Sequence, residues 1–403
     1  MNDILPTSNT YYAYLLFLIG QVISLIGSAI VQFSITWWLV STTENPKIVS
    51  LAFAIGYIPT ILILPFSGVI SDKYNRKKII IYSDSLQALV TLGIVIVFIY
   101  NVNFVWLILL GFGLRSLAQG FHSPASNSIV SMMVPKNKLS KINGIRNMSA
   151  GLISIIGPML ASILMTMIPI KHILWIDIGT FIIGTSPLFF LKLPSSKKQD
   201  HQINKNKQEK NKPLYPKRLC KSFTSYFQDI FEAIEIILQI PGLIIMMGWI
   251  FIVNFLIAPF NALLPYYIKI FHGGNETIYA ILIISANLGY IISGFINSFL
   301  KQSHNMSKNL ISVHICIFLC YFLVSMAPFQ HYYMMMIGMF IQGLMTGFSI
   351  TIYLTILQLA IQQKYQGRVF ALDSFITYFA IPIGNIIGGF LINIISPRLF
   401  FAS

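Results

Sequence analysis

Eleven long apolar runs, separated by short polar turns, organise the chain. They lie near 12–40, 48–71, 79–100, 104–125, 147–168, 173–193, 241–268, 276–300, 309–328, 332–357 and 369–395. About 17 to 25 apolar residues are what an α-helix needs to cross a hydrocarbon core of about 30 Å. Gly, Ser, Pro and Asn occur inside the runs without ending them, as in membrane bundles whose neighbouring helices re-satisfy freed backbone groups. The pattern predicts an all-α polytopic membrane protein. A cleavable signal peptide is excluded at the start, because residues 1–11 hold no Lys or Arg and the first run is about twice the usual length.

One long polar stretch interrupts the alternation. Residues 193–219 include KKQDHQINKNKQEKNKPLYPKR, a composition that stays solvated. After it, Leu219, Phe223, Phe227, Ile230, Ile234 and Leu238 recur at helical spacing between charged residues, predicting an amphipathic helix in the membrane interface. The expected organisation is therefore an N-terminal six-helix bundle over 1–193, a cytoplasmic linker over 194–240, and a C-terminal bundle of five helices over 241–403. Six plus five is one short of the 6+6 plan of transporters built from two related halves. The expectation is that a twelfth helix is missing and the second bundle truncated.

Composition and charge sharpen this picture. Of 403 residues, 56% are apolar and 10% charged, far below the ~25% of a soluble enzyme. Mean hydropathy is +0.74. The loops after runs 2, 4, 6, 8 and 10 hold 22 of the 27 Lys and Arg residues. By the positive-inside rule these loops and the N-terminus face the cytoplasm of a multi-pass cell-membrane protein. The net charge of +15 is thus topology, not a nucleic-acid interface. Cys220, Cys316 and Cys320 match no disulfide framework or metal spacing and read as core. No Ser/His/Asp set, metal-ligand spacing or phosphate loop occurs, so neither an enzyme nor a cofactor or metal site is expected.

The chemistry-bearing residues are few. The turn from Gly68 to Lys78 carries Asp72 before Arg76, Lys77 and Lys78. It reads either as an ordinary basic loop with one counter-ion or as a functional clasp. Arg115 lies about eleven residues inside the fourth run, ~16 Å deep by helical rise. A guanidinium there costs several kcal/mol unless it meets a wet cavity or a partner, so it is functional by default, the alternative being a cross-link between helices. Gln119 lies one turn along the same face. Proton coupling needs a buried carboxylate near a cation. Asp84 and Asp177, with Arg115 as partner, are the candidates, although each also reads as a helix-end acid. Gly151, Gly157 and Pro158 give helix 5 a smooth face. Gln21, Gln32, Gln119, Asn254, Asn261, Asn287, Tyr290, Gln342, Tyr378 and Asn385 are candidates for a substrate cavity, each also readable as an inter-helix hydrogen bond. His122 reads as a buried hydrogen-bonding group, and Met334 to Met336 as packing.

Together these segments resemble the major facilitator superfamily. Gly68 to Lys78 is similar to its loop 2-3 signature, with Asn75 where Gly is usual. Arg115, Gln119 and Gly120 resemble its helix 4 motif, and Gly151 to Ala161 its antiporter-type helix 5. NFLIAPFNALLPYYI and GRVFALDSFITYFAIPIGNIIGGFLI look like the drug:proton branch that includes macrolide efflux proteins. The second-half turn keeps Gly294 but has Ser298 in place of an acid. The resemblance implies a major facilitator fold that exchanges hydrophobic drug-like compounds, macrolides among them, for protons by alternating access. It also implies a cytoplasmic latch of Gly68, Asp72, Arg76 and Asp373. Small-molecule substrate, protons and the lipid bilayer are the expected partners, with the chain a monomer. Carriage of another solute, such as a siderophore or metabolite, and a truncated non-transporting remnant remain the alternatives.

Overall fold

The computed structural model describes residues 8–100, 104–135, 138–190, 232, 234–299, 305–362, 365–392 and 394. Eleven long helices occupy them: α1 Ser8–Thr43, α2 Pro46–Lys73, α3 Arg76–Ile99, α4 Val105–Met133, α5 Leu139–Met167, α6 Ile170–Phe190, α7 Leu243–His272, α8 Glu276–Phe299, α9 Met306–Ser325, α10 Tyr332–Ala360 and α11 Gln366–Leu391. Each coincides with one apolar run, several extending beyond it. Most of the linker lies outside the described residues; of the expected interfacial helix, residues 232 and 234–239 are helical.

The ends of these helices follow from local chemistry. Asn45 and Asn75 sit just before α2 and α3, and each Oδ1 accepts a hydrogen bond at 3.0 Å from the backbone N–H two residues on. Pro46 follows at the first helical position, where its missing N–H costs nothing. Asn75 thus caps α3 at an ordinary φ of −67°, so the short α2–α3 turn needs no glycine there. Several hydroxyls inside the helices are absorbed by back-bonding: Thr36, Thr185 and Ser285 donate to carbonyls one turn earlier.

Nine of the described helices contain spans long and apolar enough to cross a membrane. The other two, α4 and α6, are those carrying Arg115 and Asp177. Large apolar side chains such as Ile245, Ile182, Leu62 and Phe295 are exposed around the outside, where lipid is the natural solvent.

α1–α6 and α7–α11 form two groups, joined most extensively where α2 meets α11 and where α5 meets α8. The tightest seam is between α8 and α10. Cβ atoms on Gly289 and Gly343 would run into the Phe340 and Ala286 carbonyl oxygens, and one on Gly347 into the Ser293 hydroxyl. Small residues bring these backbones together, where dispersion rather than water exclusion holds helices.

We call the end with the even turns the basic end and the opposite one the sparse end. At the sparse end one apolar core runs through both groups, from Phe33 and Trp37 of α1 and Ala161 of α5 to Leu264, Tyr279 and Met339. Tyr279 stacks on Phe33 at 5.0 Å and on Trp37 at 5.8 Å. Lys269 donates to the Ser41 carbonyl at 3.3 Å, and Lys47 lies 5.0 Å over the Phe390 ring. At the basic end the cores are separate: one around Tyr14, Ile80 and Met133, another around Met247, Leu310 and Leu357. The two groups are fastened at the sparse end.

Candidate functional site

The described buried ionisable groups around Arg115 and His122 stand in two layers along α1, α3, α4 and α6. In the deeper layer, Arg115 Nη1 lies 2.5 Å from Asp177 Oδ2 and also donates to the Thr91 hydroxyl. Thr91 Oγ1 donates to Asp177 Oδ2 at 2.8 Å, and Ser28 Oγ to Asp177 Oδ1 at 2.9 Å. Arg115 and Asp177 are 9% and 4% exposed, so the pair is largely desolvated and held by hydrogen bonds to Thr91 and Ser28.

The second layer lies one heptad nearer the basic end. His122 Nε2 is 3.3 Å from Asp84 Oδ1 and 3.0 Å from Gln21 Oε1. All three residues are buried, and Asp84 Oδ2 and Gln21 Nε2 have no hydrogen-bond partner among the described residues. A cavity of about 20 Å³, lined by Ser24, Ser28, Asp84, Gln87, Ala88, Asp177 and Phe181, connects the layers. That is room for about one water.

The structure therefore pairs Arg115 with Asp177 and not with Asp84, whose cation-capable neighbour is His122. The acids lie seven or eight residues inside α3 and α6, which begin in the charged flanks before the apolar runs.

The second group holds a different kind of cavity, about 320 Å³, between α7, α8 and α10. Of the substrate-cavity candidates, Asn261, Asn287, Tyr290 and Gln342 line it, with Met339 and Thr346 among the other walls. Gln342 Nε2 donates to Tyr321 Oη at 3.1 Å and to Thr346 Oγ1 at 2.9 Å, and Tyr321 Oη donates to Asn261 Oδ1 at 3.3 Å. Asn287 Nδ2 donates to the Ser154 carbonyl of α5 at 3.2 Å, so one wall of the cavity touches the first group. Among the described residues none that lines it is charged.

The remaining candidates sit elsewhere. Gln21 belongs to the His122 layer. Gln119 bonds Ser123 of its own helix and Asn254 the Ile250 carbonyl of its own. Gln32 and Tyr378 are exposed, and Asn385 is buried. Gly157 meets Ala29 of α1, and Gly151 meets Ile291 of α8, while Pro158 is buried. Of the latch residues, the side chains of Gly68 and Asp72 lie outside the described residues. Asp373 accepts a hydrogen bond from Tyr353 of its own group, and Arg76 Nε reaches the Ser71 carbonyl at 3.4 Å. Sequence reasoning missed Ser28, Thr91 and Tyr321, and the pairing of His122 with Asp84.

The sequence profile of the Major Facilitator Superfamily matches residues 17–327. "Macrolide efflux protein A" of Streptococcus pyogenes is 25% identical over 387 residues, covering 95% of this chain and 90% of that protein. Its namesake in Enterococcus faecalis is 24% identical over 335 residues, covering 82% and 96%. Among solved structures, a bacterial homologue of the human lysosomal transporter Spinster, inward-facing and unoccupied, superposes with a TM-score of 0.71 at 14% identity, covering 96% of this chain and 82% of that one. A bacterial homologue of the iron transporter ferroportin, also inward-facing, gives 0.69 at 15% identity, covering 94% and 91%.

Proposed function

Because this chain belongs to the major facilitator superfamily, we propose that it exports hydrophobic drug-like compounds, macrolides among them, in exchange for protons. The observation that carries this reading is the division of labour between the groups: a ligand-sized cavity without a charged lining residue in the second, and buried ionisable pairs in the first. A volume of about 320 Å³ falls at the lower end of ordinary ligand pockets. The relatives named for macrolide efflux, matched along nearly the whole chain, support the substrate class.

The basic end is taken as cytoplasmic, following the Lys and Arg bias. The arrangement is then closed outside by the Tyr279 stack, Lys269 and Lys47, and the protein receives its ligand from the inner side. Rocking of the two bundles about the cavity breaks those fasteners and exposes the ligand outside, while proton entry resets the cycle. In this scheme the 1–193 and 241–403 bundles are the moving units, the linker tethers them, the chain works as a monomer, and the Asp72 turn with Asp373 latches the inner end.

The test is accumulation of radiolabelled erythromycin in an efflux-deficient host expressing the protein, before and after a protonophore. The expected result is low accumulation that rises when the gradient collapses. Accumulation independent of the protein removes the substrate assignment. Efflux that persists in the Arg115→Ala, Asp84→Asn double variant at normal protein level removes the coupling assignment. The amide and hydroxyl chain through Asn261, Tyr321 and Gln342 also suits a more polar neutral solute. Competition of such solutes with erythromycin distinguishes that second reading.

A further inference from the structure

We propose that the transported proton is bound by Asp84, held by His122 and Gln21 and served by the water-sized cavity, whereas Asp177 and Arg115 form a fixed charge pair that carries no proton. This assignment rests on the proton-coupled reading above. It follows from counting donors and acceptors around each acid.

Every group bonded to Asp177 donates to it: Ser28 to Oδ1, Thr91 and Arg115 to Oδ2. Both oxygens therefore already hold a bonded group, and the Arg115 guanidinium neutralises the carboxylate where it stands. Asp84 differs. Its Oδ1 lies 3.3 Å from His122 Nε2, and its Oδ2 is buried, without a partner among the described residues, on a residue lining the cavity. A buried carboxylate oxygen with no donor costs about 1–3 kcal/mol or more, a cost relieved when it gains a hydrogen that bonds to a cavity water. Room for about one water is present there.

The step is a simple transfer. A hydrated proton reaching the cavity gives its hydrogen to Asp84 Oδ2, forming an O–H bond and leaving water. Release reverses this, with the electron pair staying on oxygen. His122, 3.3 Å from Oδ1 and hydrogen-bonded to Gln21, acts as a positioning residue. The charged and titratable groups around the site are His122 and Arg115 of α4 and Asp177 of α6; α1 contributes only the uncharged Gln21, Ser24 and Ser28. The fixed pair one heptad deeper supplies a net neutral floor, so binding at Asp84 changes the local charge by one.

The experiment needs no substrate. Purified protein in liposomes is cycled between acidic and alkaline buffer while infrared difference spectra record the C=O band of protonated carboxyl groups. The expected result is that Asp84→Asn removes part of the wild-type band and Asp177→Asn leaves it. A band unchanged in Asp84→Asn overturns the assignment, as does one diminished by Asp177→Asn instead. His122→Gln, which keeps a donor but cannot ionise, is expected to keep the band and shift the pH at which it appears; His122→Phe, which removes the donor, is expected to shift it further. Identical pH midpoints in all three proteins remove His122 from the site. Failure of gradient-dependent erythromycin efflux in the wild-type protein would instead remove the underlying function reading, a result independent of the band.

Discussion

Replacing Arg115 by Met tests whether the deeper layer is held by charge neutralisation. The substitution keeps an unbranched side chain of similar reach and leaves Asp177 with only the Ser28 and Thr91 hydroxyls, in a site where it is 4% exposed. Breaking a buried ion pair by removing one partner costs about 3–5 kcal/mol, because the surviving charge is neither solvated nor paired. Removing both charges, in Arg115→Met with Asp177→Asn, leaves only lost hydrogen bonds, about 1–2 kcal/mol. For a bundle of this size each kcal/mol moves the unfolding midpoint by about 2–4 °C. The single variant is therefore expected to lose about 6–20 °C, and the double variant to recover most of it while staying inactive in transport. The assay is the fraction of fluorescent fusion protein that stays monodisperse on size exclusion after heating. A double variant that loses the sum of the two single losses would show that Arg115 and Asp177 are energetically independent, and the neutralisation argument would be wrong.

Three other outcomes are expected. Gly343→Leu places a side chain where the Ala286 carbonyl already stands and costs at least about 1–3 kcal/mol, read as loss of monodisperse protein, whereas Gly56→Leu, with nothing within 4 Å of its Cβ position, is tolerated. Gln342→Leu unlinks Tyr321 from Thr346 and is expected to weaken erythromycin binding about tenfold in a scintillation proximity assay, about 1.4 kcal/mol, with little change in unfolding midpoint. Lys47→Met with Lys269→Met removes two sparse-end fasteners worth about 0.5–1 kcal/mol each, and external maleimide labelling of a Thr346→Cys reporter should rise several-fold; unchanged labelling refutes their role in closure.

The helices were legible because each apolar run is a membrane crossing, and a crossing that must satisfy its own backbone is a helix. Their ends were less so. α4 continues eight residues past its run and α5 starts eight before, through Ser128, Lys141 and Asn143, because a helix does not stop where lipid does. The two polar layers were half visible. Gln21 and Ser28 are seven apart on α1, Asp84 and Thr91 on α3, and Arg115 and His122 on antiparallel α4. Two layers about 10 Å apart follow from that spacing. Reading each polar residue singly hid the register, and made His122 look like an ordinary core histidine. In the cavity, Gln342 and Asn287 stood out as polar residues at mid-depth, while Met339 and Leu264 could not, since facing a void leaves no mark on an apolar side chain's identity.

The separation of the two sites constrains how they can be coupled. The described ionisable pairs of α3, α4 and α6 lie within the first group, and the cavity is lined from the second, so in the proposed exchange proton and ligand would not compete for the same atoms. Each can act on the other only by preferring one arrangement of the bundles over the other, and a ligand with equal affinity for both would shift nothing. The contacts that change with that arrangement are therefore where coupling free energy must reside. Two are on the cavity wall itself: Asn287 bonded to the Ser154 carbonyl of α5, and Tyr279 stacked on Phe33 and Trp37 of α1. α1 also supplies Gln21 and Ser28 to the proton side. A single helix thus meets the sparse-end seal, the cavity-wall residue Tyr279 and both polar layers, and in the proposed cycle its tilt would be the shortest physical route between them.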